Sequence, residues 1–245
     1  MVQVGKLRNE KMAQFKKGIF VTATDTAVGK TFLSGLLMRA LNRKGIDAAY
    51  FKPAASGCCL ENGSLVSEDV LFIQGFTGNK MDHEIHCPVR YAKPLAPMAA
   101  AQLENRPFNL DAVWKSFDLL KKRYSVVVVE GIGGVMVPLK EDYLVLDLIA
   151  ETRLPAIVVC RPTIGTINHT LLTLHALNGR GIPLAGFLTN GKREEGDEAG
   201  ITSPPLIARF SRVPYLGHIP LYDPEKDDLD SFIEHKAGFI NHLLT

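Results

Sequence analysis

The chain has little of what would fix a function by composition alone. Its 28 Lys and Arg nearly cancel its 26 Asp and Glu. No one-sign field therefore exists to hold nucleic acid or an anionic membrane surface, and recognition must be local. Only four cysteines are present, Cys58, Cys59, Cys87 and Cys160, two of them adjacent and none in CxxC spacing. That argues against a disulfide framework or a zinc site and fits a reducing, cytoplasmic setting. No apolar run approaches the roughly 20 residues of a membrane span, and the amino terminus has no apolar signal core, so a soluble chain is expected. Internal repeats and low-complexity tracts are lacking too.

What is present is alternation. The first seventeen residues are polar and charged and are read as a flexible extension, leaving 18–245 as one domain. From Gly18 onward, apolar runs suited to buried strands alternate with segments of helical period. They are "IFVTA", a helix to Leu41, "AAYFK", "VVVVE", "AIVVC", a helix from about Thr166, and "LAGFLTN". This pattern implies an α/β fold, a mostly parallel sheet flanked by helices, with ligands outside the carboxyl ends of the strands. "NGKREEGDEAG", Asn190 to Gly200, reads as an exposed loop, and the segment from Asp227 as a closing helix.

Between the first strand and helix lies "TATDTAVGKT", which ends in Gly29-Lys30-Thr31 but has no glycine where a phosphate loop usually begins. The position is right for one. Backbone N–H groups from Asp25 to Phe32 can wrap phosphate oxygens at a helix amino terminus, Lys30 can reach between terminal phosphates, and the Thr31 hydroxyl can ligate Mg²⁺. The bland alternative is a strand-to-helix turn with a surface lysine. Two further segments weigh against it. "FKPAASG" carries Lys52 and Ser56 to the same sheet edge, and "VVVVEGIGG" delivers Glu130 there on a buried strand, followed by glycines that allow close approach of a ligand. A buried carboxylate without a partner is costly, and Mg²⁺ is a natural one; Asp69 in "SEDVL" offers a second carboxylate, unless it only marks an acidic helix start.

Taken in order, "VTATDTAVGKT", "KPAASG", Asp69, "VEGIGG", "TIGTINHTLLT", "GFLTN" and "VPYLGHIP" resemble the dethiobiotin synthetases over nearly all of the chain after Gly18. The family's loop is one residue longer than an ordinary P-loop and begins with glycine where this chain has Ala23, so alanine would strain the loop if that position needs positive φ. A second departure lies in "KPLAPMAAAQ": the family usually reads Pro-x-Ser-Pro-His, and Ala96 and Met98 here lose any polar contact made from those positions.

The resemblance implies a P-loop NTPase-like fold and ATP-dependent, Mg²⁺-dependent closure of 7,8-diaminopelargonate and CO₂ into dethiobiotin. It places Lys52, Lys30, Thr26 and Ser56 at the chemistry. Asp25, Thr26, Ala27, Val28, Gly29, Lys30, Thr31 and Phe32 fall to the nucleotide, with Asn190 reading adenine beside Ile219, Pro220 and Leu221. Thr31, Asp69 and Glu130 hold the metal. Lys52, Ser56 and Gly133 meet the diamine, whose distal carboxylate is bound by Gly165, Thr166, Ile167 and Asn168 from the other subunit of a homodimer. Rival readings are a partition-type ATPase switch, which usually carries an early loop lysine where this chain has Asp25, and a cobyrinate-synthetase-like ligase, whose glutaminase domain would not fit in 245 residues. A nucleotide kinase lacks its arginine-rich lid. His83, His86 and Cys87 are spaced too irregularly for a metal site and are expected in a surface connection before a helix at 95–103. His169 and His175 are expected to be packed or solvated, Phe32, Met38 and Phe72 to be core, and Trp114 to pack the face of its helix.

Overall fold

A computed structural model describes residues 18–192, 198–238 and 240. The 1–17 extension, part of the Asn190–Gly200 loop and the last residues of the closing segment lie outside them. In chain order the first half runs β1 (Gly18–Ala23), α1 (Lys30–Arg43), β2 (Ala48–Phe51), β3 (Ala54–Ser56), β4 (Cys59–Glu61), β5 (Ser64–Val66), α2 (Glu68–Thr77), α3 (His83–His86), β6 (Val89–Tyr91), α4 (Pro97–Leu103) and α5 (Leu110–Arg123). The second half runs β7 (Val126–Glu130), β8 (Pro138–Lys140), β9 (Tyr143–Leu144), α6 (Val145–Thr152), β10 (Ala156–Cys160), α7 (Thr166–Gly179), β11 (Leu184–Asn190), α8 (Glu198–Ser211), β12 (Tyr215–Ile219) and α9 (Leu229–His235).

Six strands form one parallel sheet in the order β12-β11-β10-β1-β7-β2. Its central strands are apolar on both faces because helices cover both. In β7, Val127 and Val129 face a core that includes Phe117 of α5, Ile149 of α6 and Leu174 of α7. Val128 points the other way, into a core with Leu33 and Leu37 of α1, Ile73 of α2 and Phe232 of α9. The chain passes from β1 out to β2, returns to β7, then crosses β1 to reach β10. The loops after β1 and β7 therefore leave from adjacent strands at the same end of the sheet, and Gly131 N–H donates to Val21 O across them.

Several expectations are corrected. Ser56 is not on the strand that leads to Lys52: β2 ends at Phe51, and β3 pairs instead with β6 in a separate two-stranded sheet. The helix expected from Leu95 starts at Pro97, whose fixed φ suits a first helical turn. The segment from His83 to Cys87 is a surface connection only in part: Glu84 is exposed, but the end of the segment turns inward. His86 and Cys87 are buried, because β2 is the sheet's edge and its end needs partners: Lys52 N–H donates to His86 O, and His86 Nδ1 lies 2.6 Å from Tyr50 O. Phe72 is not core either. It is 42% exposed, since α2 turns Val70 and Ile73 inward instead. Met38 is fully buried, Phe32 and Trp114 pack against the cores, and His169 and His175 are exposed.

Candidate active site

The loop after β1 is shaped by two left-handed residues, Ala27 (φ 54°) and Gly29 (φ 97°), the second of which precedes α1. Ala23 has no such φ; it is the buried last residue of β1, so its methyl group strains nothing. The constraint sits at Gly29 instead, where an added Cβ would lie 2.0 Å from Asn190 Nδ2. Asn190, at the end of β11, donates from that nitrogen to Val28 O at 2.9 Å. Val28 itself is a core side chain, as is Ile219. Asp25, Thr26 and Ala27 are exposed at the crest of the loop, where Arg161 donates to Thr26 O at 3.0 Å and lies 3.9 Å from Asp25.

Behind the loop, five side chains from four elements converge. Strand period places Tyr50 and Lys52 on one side of the β2 end, facing Glu130 at the end of β7. Tyr50 donates to Glu130 Oε2 at 2.9 Å; Lys52 donates to Glu130 Oε1 and Asp69 Oδ2, each at 2.8 Å, and to Gly131 O at 3.1 Å. All three ammonium protons of Lys52 are thus engaged. The Thr31 hydroxyl lies 2.7 Å from Asp69 Oδ1 and 2.8 Å from Glu130 Oε1. It has one proton for two carboxylate oxygens. Three hard oxygens meeting so closely are a donor set of the kind Mg²⁺ takes. Among the described residues no group of three or more His, Cys, Asp and Glu side chains could hold a metal, so the hydroxyl is needed to complete the set.

The charges are mutually dependent. Burial alone would lower Lys52, but Glu130 and Asp69 outweigh it and hold the ammonium above its ordinary range. Burial would likewise raise Asp69, yet Lys52 and the Thr31 hydrogen bond keep its carboxyl below the usual value. Lys30 goes the other way: burial and the adjacent Lys52 charge bring it from 10.5 down to about 8, against the pull of Glu130, Asp69 and Asp25. Its Nζ curls back to within 3.2 Å of Asp25 O. The buried Glu130 already has Lys52 as its cation, so its burial does not by itself call for a metal, contrary to the argument from sequence.

A cavity of about 830 Å³ opens on this cluster and on Thr26, Ser56 and Gly133. Its other walls are apolar: Leu95, Ala96, Pro97, Ile132 and Val137. Gly133 is left-handed (φ 59°), and a Cβ there would meet Val137 Cγ2 at 2.8 Å. Gly165, Thr166, Ile167 and Asn168 are not among the residues lining this cavity. They form the start of α7, with Gly165 and Asn168 exposed and Thr166 buried. Pro220 and Leu221 line a second cavity next to Asn190. Tyr50 and Arg161 were missed from sequence; Tyr50 was signalled only by its spacing of two from Lys52.

Comparison with known proteins gives this geometry a family. Residues 17–226 match the family model described as an AAA domain. The chain is 35% identical over 223 residues to the ATP-dependent dethiobiotin synthetase BioD of Thermodesulfovibrio yellowstonii, covering 87% of this chain and 93% of the relative. The chain belongs to the dethiobiotin synthetase family. A second BioD, from Methanococcus vannielii, is 41% identical over 228 residues, covering 89% of this chain and 97% of the relative. Among solved structures, the septum site-determining protein MinD complexed with Mg-ADP, from Pyrococcus horikoshii, superposes with a TM-score of 0.56 at 17% identity, covering 93% of this chain and 94% of that one. That likeness shows that this synthetase-family chain has the P-loop NTPase fold. Among its described residues no helix is long and apolar enough to cross a membrane.

Proposed function

We propose that this protein is an ATP-dependent dethiobiotin synthetase, joining CO₂ and 7,8-diaminopelargonate into a cyclic urea with release of ADP and phosphate. The observation that carries the reading is Lys52: a buried cation bridging two carboxylates at the mouth of a phosphate loop, open to a cavity with apolar walls for an alkyl chain. One uncharged amine of the substrate attacks CO₂ and loses a proton, giving a carbamate anion. Lys52 and Lys30 lower the amine's pKa and stabilise that anion. Of the three acceptors around Lys52, the neutral Gly131 O at 3.1 Å is the one most readily exchanged for the carbamate.

The carbamate oxygen next takes the γ-phosphoryl group from ATP, with ADP leaving; the second amine attacks the carbamoyl carbon, and phosphate departs as the ring closes, the amine's proton passing to phosphate or water. Lys30 neutralises charge on the transferred group. Thr31, Asp69 and Glu130 would hold Mg²⁺, which when bound supplies further charge neutralisation at the phosphates. Thr26 and Ser56 are hydrogen-bonding neighbours of carbamate and phosphate, and the loop from Asp25 to Phe32 cradles the phosphates. Asn190 retains one free amide N–H and its carbonyl to read the base edge. Where the family usually has serine, Ala96 keeps this wall of the cavity apolar; Met98 lines a separate pocket.

The active form is a homodimer in this reading, with Gly165 to Asn168 of one subunit binding the distal carboxylate of substrate held by the other. Two features support it: this helix start does not line its own chain's cavity, and exposed apolar side chains lie near it, Ile164 before it and Leu172 and Phe210 sharing a surface pocket with Asn168, at 91%, 61% and 71% exposure. Product analysis by mass spectrometry, omitting diaminopelargonate, bicarbonate and ATP in turn, tests the activity. Dethiobiotin should appear only with all three present. ATP turnover at full rate without the diamine would reject the proposal.

A further inference from the structure

Beside Asn190 lies the second cavity, of about 740 Å³, whose walls include Phe32, Phe72, Phe76, Leu221 and Tyr222. Four of these are rings in contact. Phe32 stacks on Tyr222 at 5.7 Å between centroids, Phe72 on Phe76 at 5.2 Å, and Phe32 meets Phe76 edge-on at 5.8 Å. Phe72 and Leu221 remain 42% and 61% exposed, so the wall presents apolar surface that the fold itself does not cover.

The cavity adjoins the phosphate loop. Asn190 lines it while hydrogen-bonded to Val28 O, and Phe32 follows Lys30 and Thr31 on α1. Asp69, Phe72 and Phe76 fall at positions i, i+3 and i+7 of α2, along one helix face. The helix that places a carboxylate against Thr31 thus carries the aromatic wall away from it, toward Asn190. Beside the loop, a polar amide edge thus meets a ring-lined surface.

We infer that Phe72 and its ring neighbours select the base of the nucleotide and favour a bicyclic purine over a pyrimidine; this rests on the proposed use of ATP. The cavity is large enough for either base, so size excludes neither. Discrimination comes from contact: stacking and apolar burial grow with the ring area covered, and a single ring that reaches Asn190 covers less of the wall. Phe72, as the exposed end of the wall, is the residue whose surface the second ring would cover.

The test is equilibrium binding of ATP, CTP and inorganic tripolyphosphate, with Mg²⁺ and without diamine or bicarbonate, so that no turnover occurs. Wild type should bind ATP more tightly than CTP. Phe72→Ala should weaken ATP about tenfold, on the scale of a lost base–aromatic stack, reduce the preference over CTP, and leave tripolyphosphate unchanged. Phe72→Tyr, which keeps the ring, should behave as wild type, and Leu221→Ser should weaken ATP in the same sense as Phe72→Ala. Equal binding of ATP and CTP by wild type, or ATP binding untouched by both Phe72→Ala and Leu221→Ser, overturns the inference. A protein that makes dethiobiotin yet binds ATP and CTP alike refutes the aromatic wall and leaves the proposed activity standing. One that prefers ATP and loses it with Phe72→Ala, but forms no dethiobiotin, supports the wall and rejects the activity.

Discussion

Lys52 Nζ lies 2.8 Å from Glu130 Oε1, and both side chains are buried, at 4% and 0% exposure, where they line the cavity. Neither charge is tolerable alone at that depth. The pair is a structural element as well as a candidate catalytic one, and the two roles can be separated by measurement.

Lys52→Met should abolish dethiobiotin formation and also destabilise the fold by about 3–5 kcal/mol, the scale of removing one partner from a buried ion pair. Adding Glu130→Gln should restore most of the stability and none of the activity. Urea denaturation of the single and double variants checks the first effect, and product analysis the second. A single variant as stable as wild type would show that Glu130 finds another partner.

Lys30 gives a pH signature. Its folded pKa is depressed, from 10.5 to about 8, so between those values the unfolded chain binds more protons and stability contributed by this group rises with pH. Anion binding runs oppositely, because only the charged ammonium attracts phosphate. The affinity for tripolyphosphate should therefore fall as pH rises above about 8. In Lys30→Arg, whose guanidinium stays charged, that decline should vanish. Calorimetric titrations from neutral pH to pH 10 would show whether the slope follows residue 30.

At the loop, Gly29→Ala must fail twice, by its φ of 97° and by the 2.0 Å approach to Asn190 Nδ2. We expect the variant to fold but to lose both ATP and tripolyphosphate. Asn190→Ala should weaken ATP more than tripolyphosphate, since the proposed reading puts the rest of its amide on the base. A parallel loss of both ligands in Asn190→Ala would confine its role to holding Val28 O.

The proposed shared site is testable by subunit mixing. Lys30→Ala removes the phosphate cation and Asn168→Trp obstructs the carboxylate end. Refolded together, a mixed two-fold dimer holds one doubly damaged site and one intact site. Random pairing makes about half the dimers mixed, so activity should return to about a quarter of wild type if sites act independently. Absence of recovery in verified mixed dimers would place both parts within one chain.

The order of motifs along the chain determined the family, and the alternation of buried runs with helical period determined the parallel sheet. Both are local signals: a strand covered on two faces reads as a near-continuous apolar run, as β10 does and as β1 and β7 do apart from Thr22 and Glu130. Position at strand ends likewise marked Lys30, Lys52 and Glu130 as neighbours, because parallel strands bring their carboxyl ends to one edge. Sequence did not show what those residues do to one another. That Lys52 neutralises Glu130, that Tyr50 also binds it, and that Thr31 shares one proton between two carboxylates depend on distances across β2, β7, α1 and α2. The errors have the same origin. Phe72 has an apolar side chain at a helical position, and only the packing of α2 decides whether that position faces the core or an open pocket. His86 and Cys87 lie in a polar connection, and only the unpaired edge of β2 draws them inside.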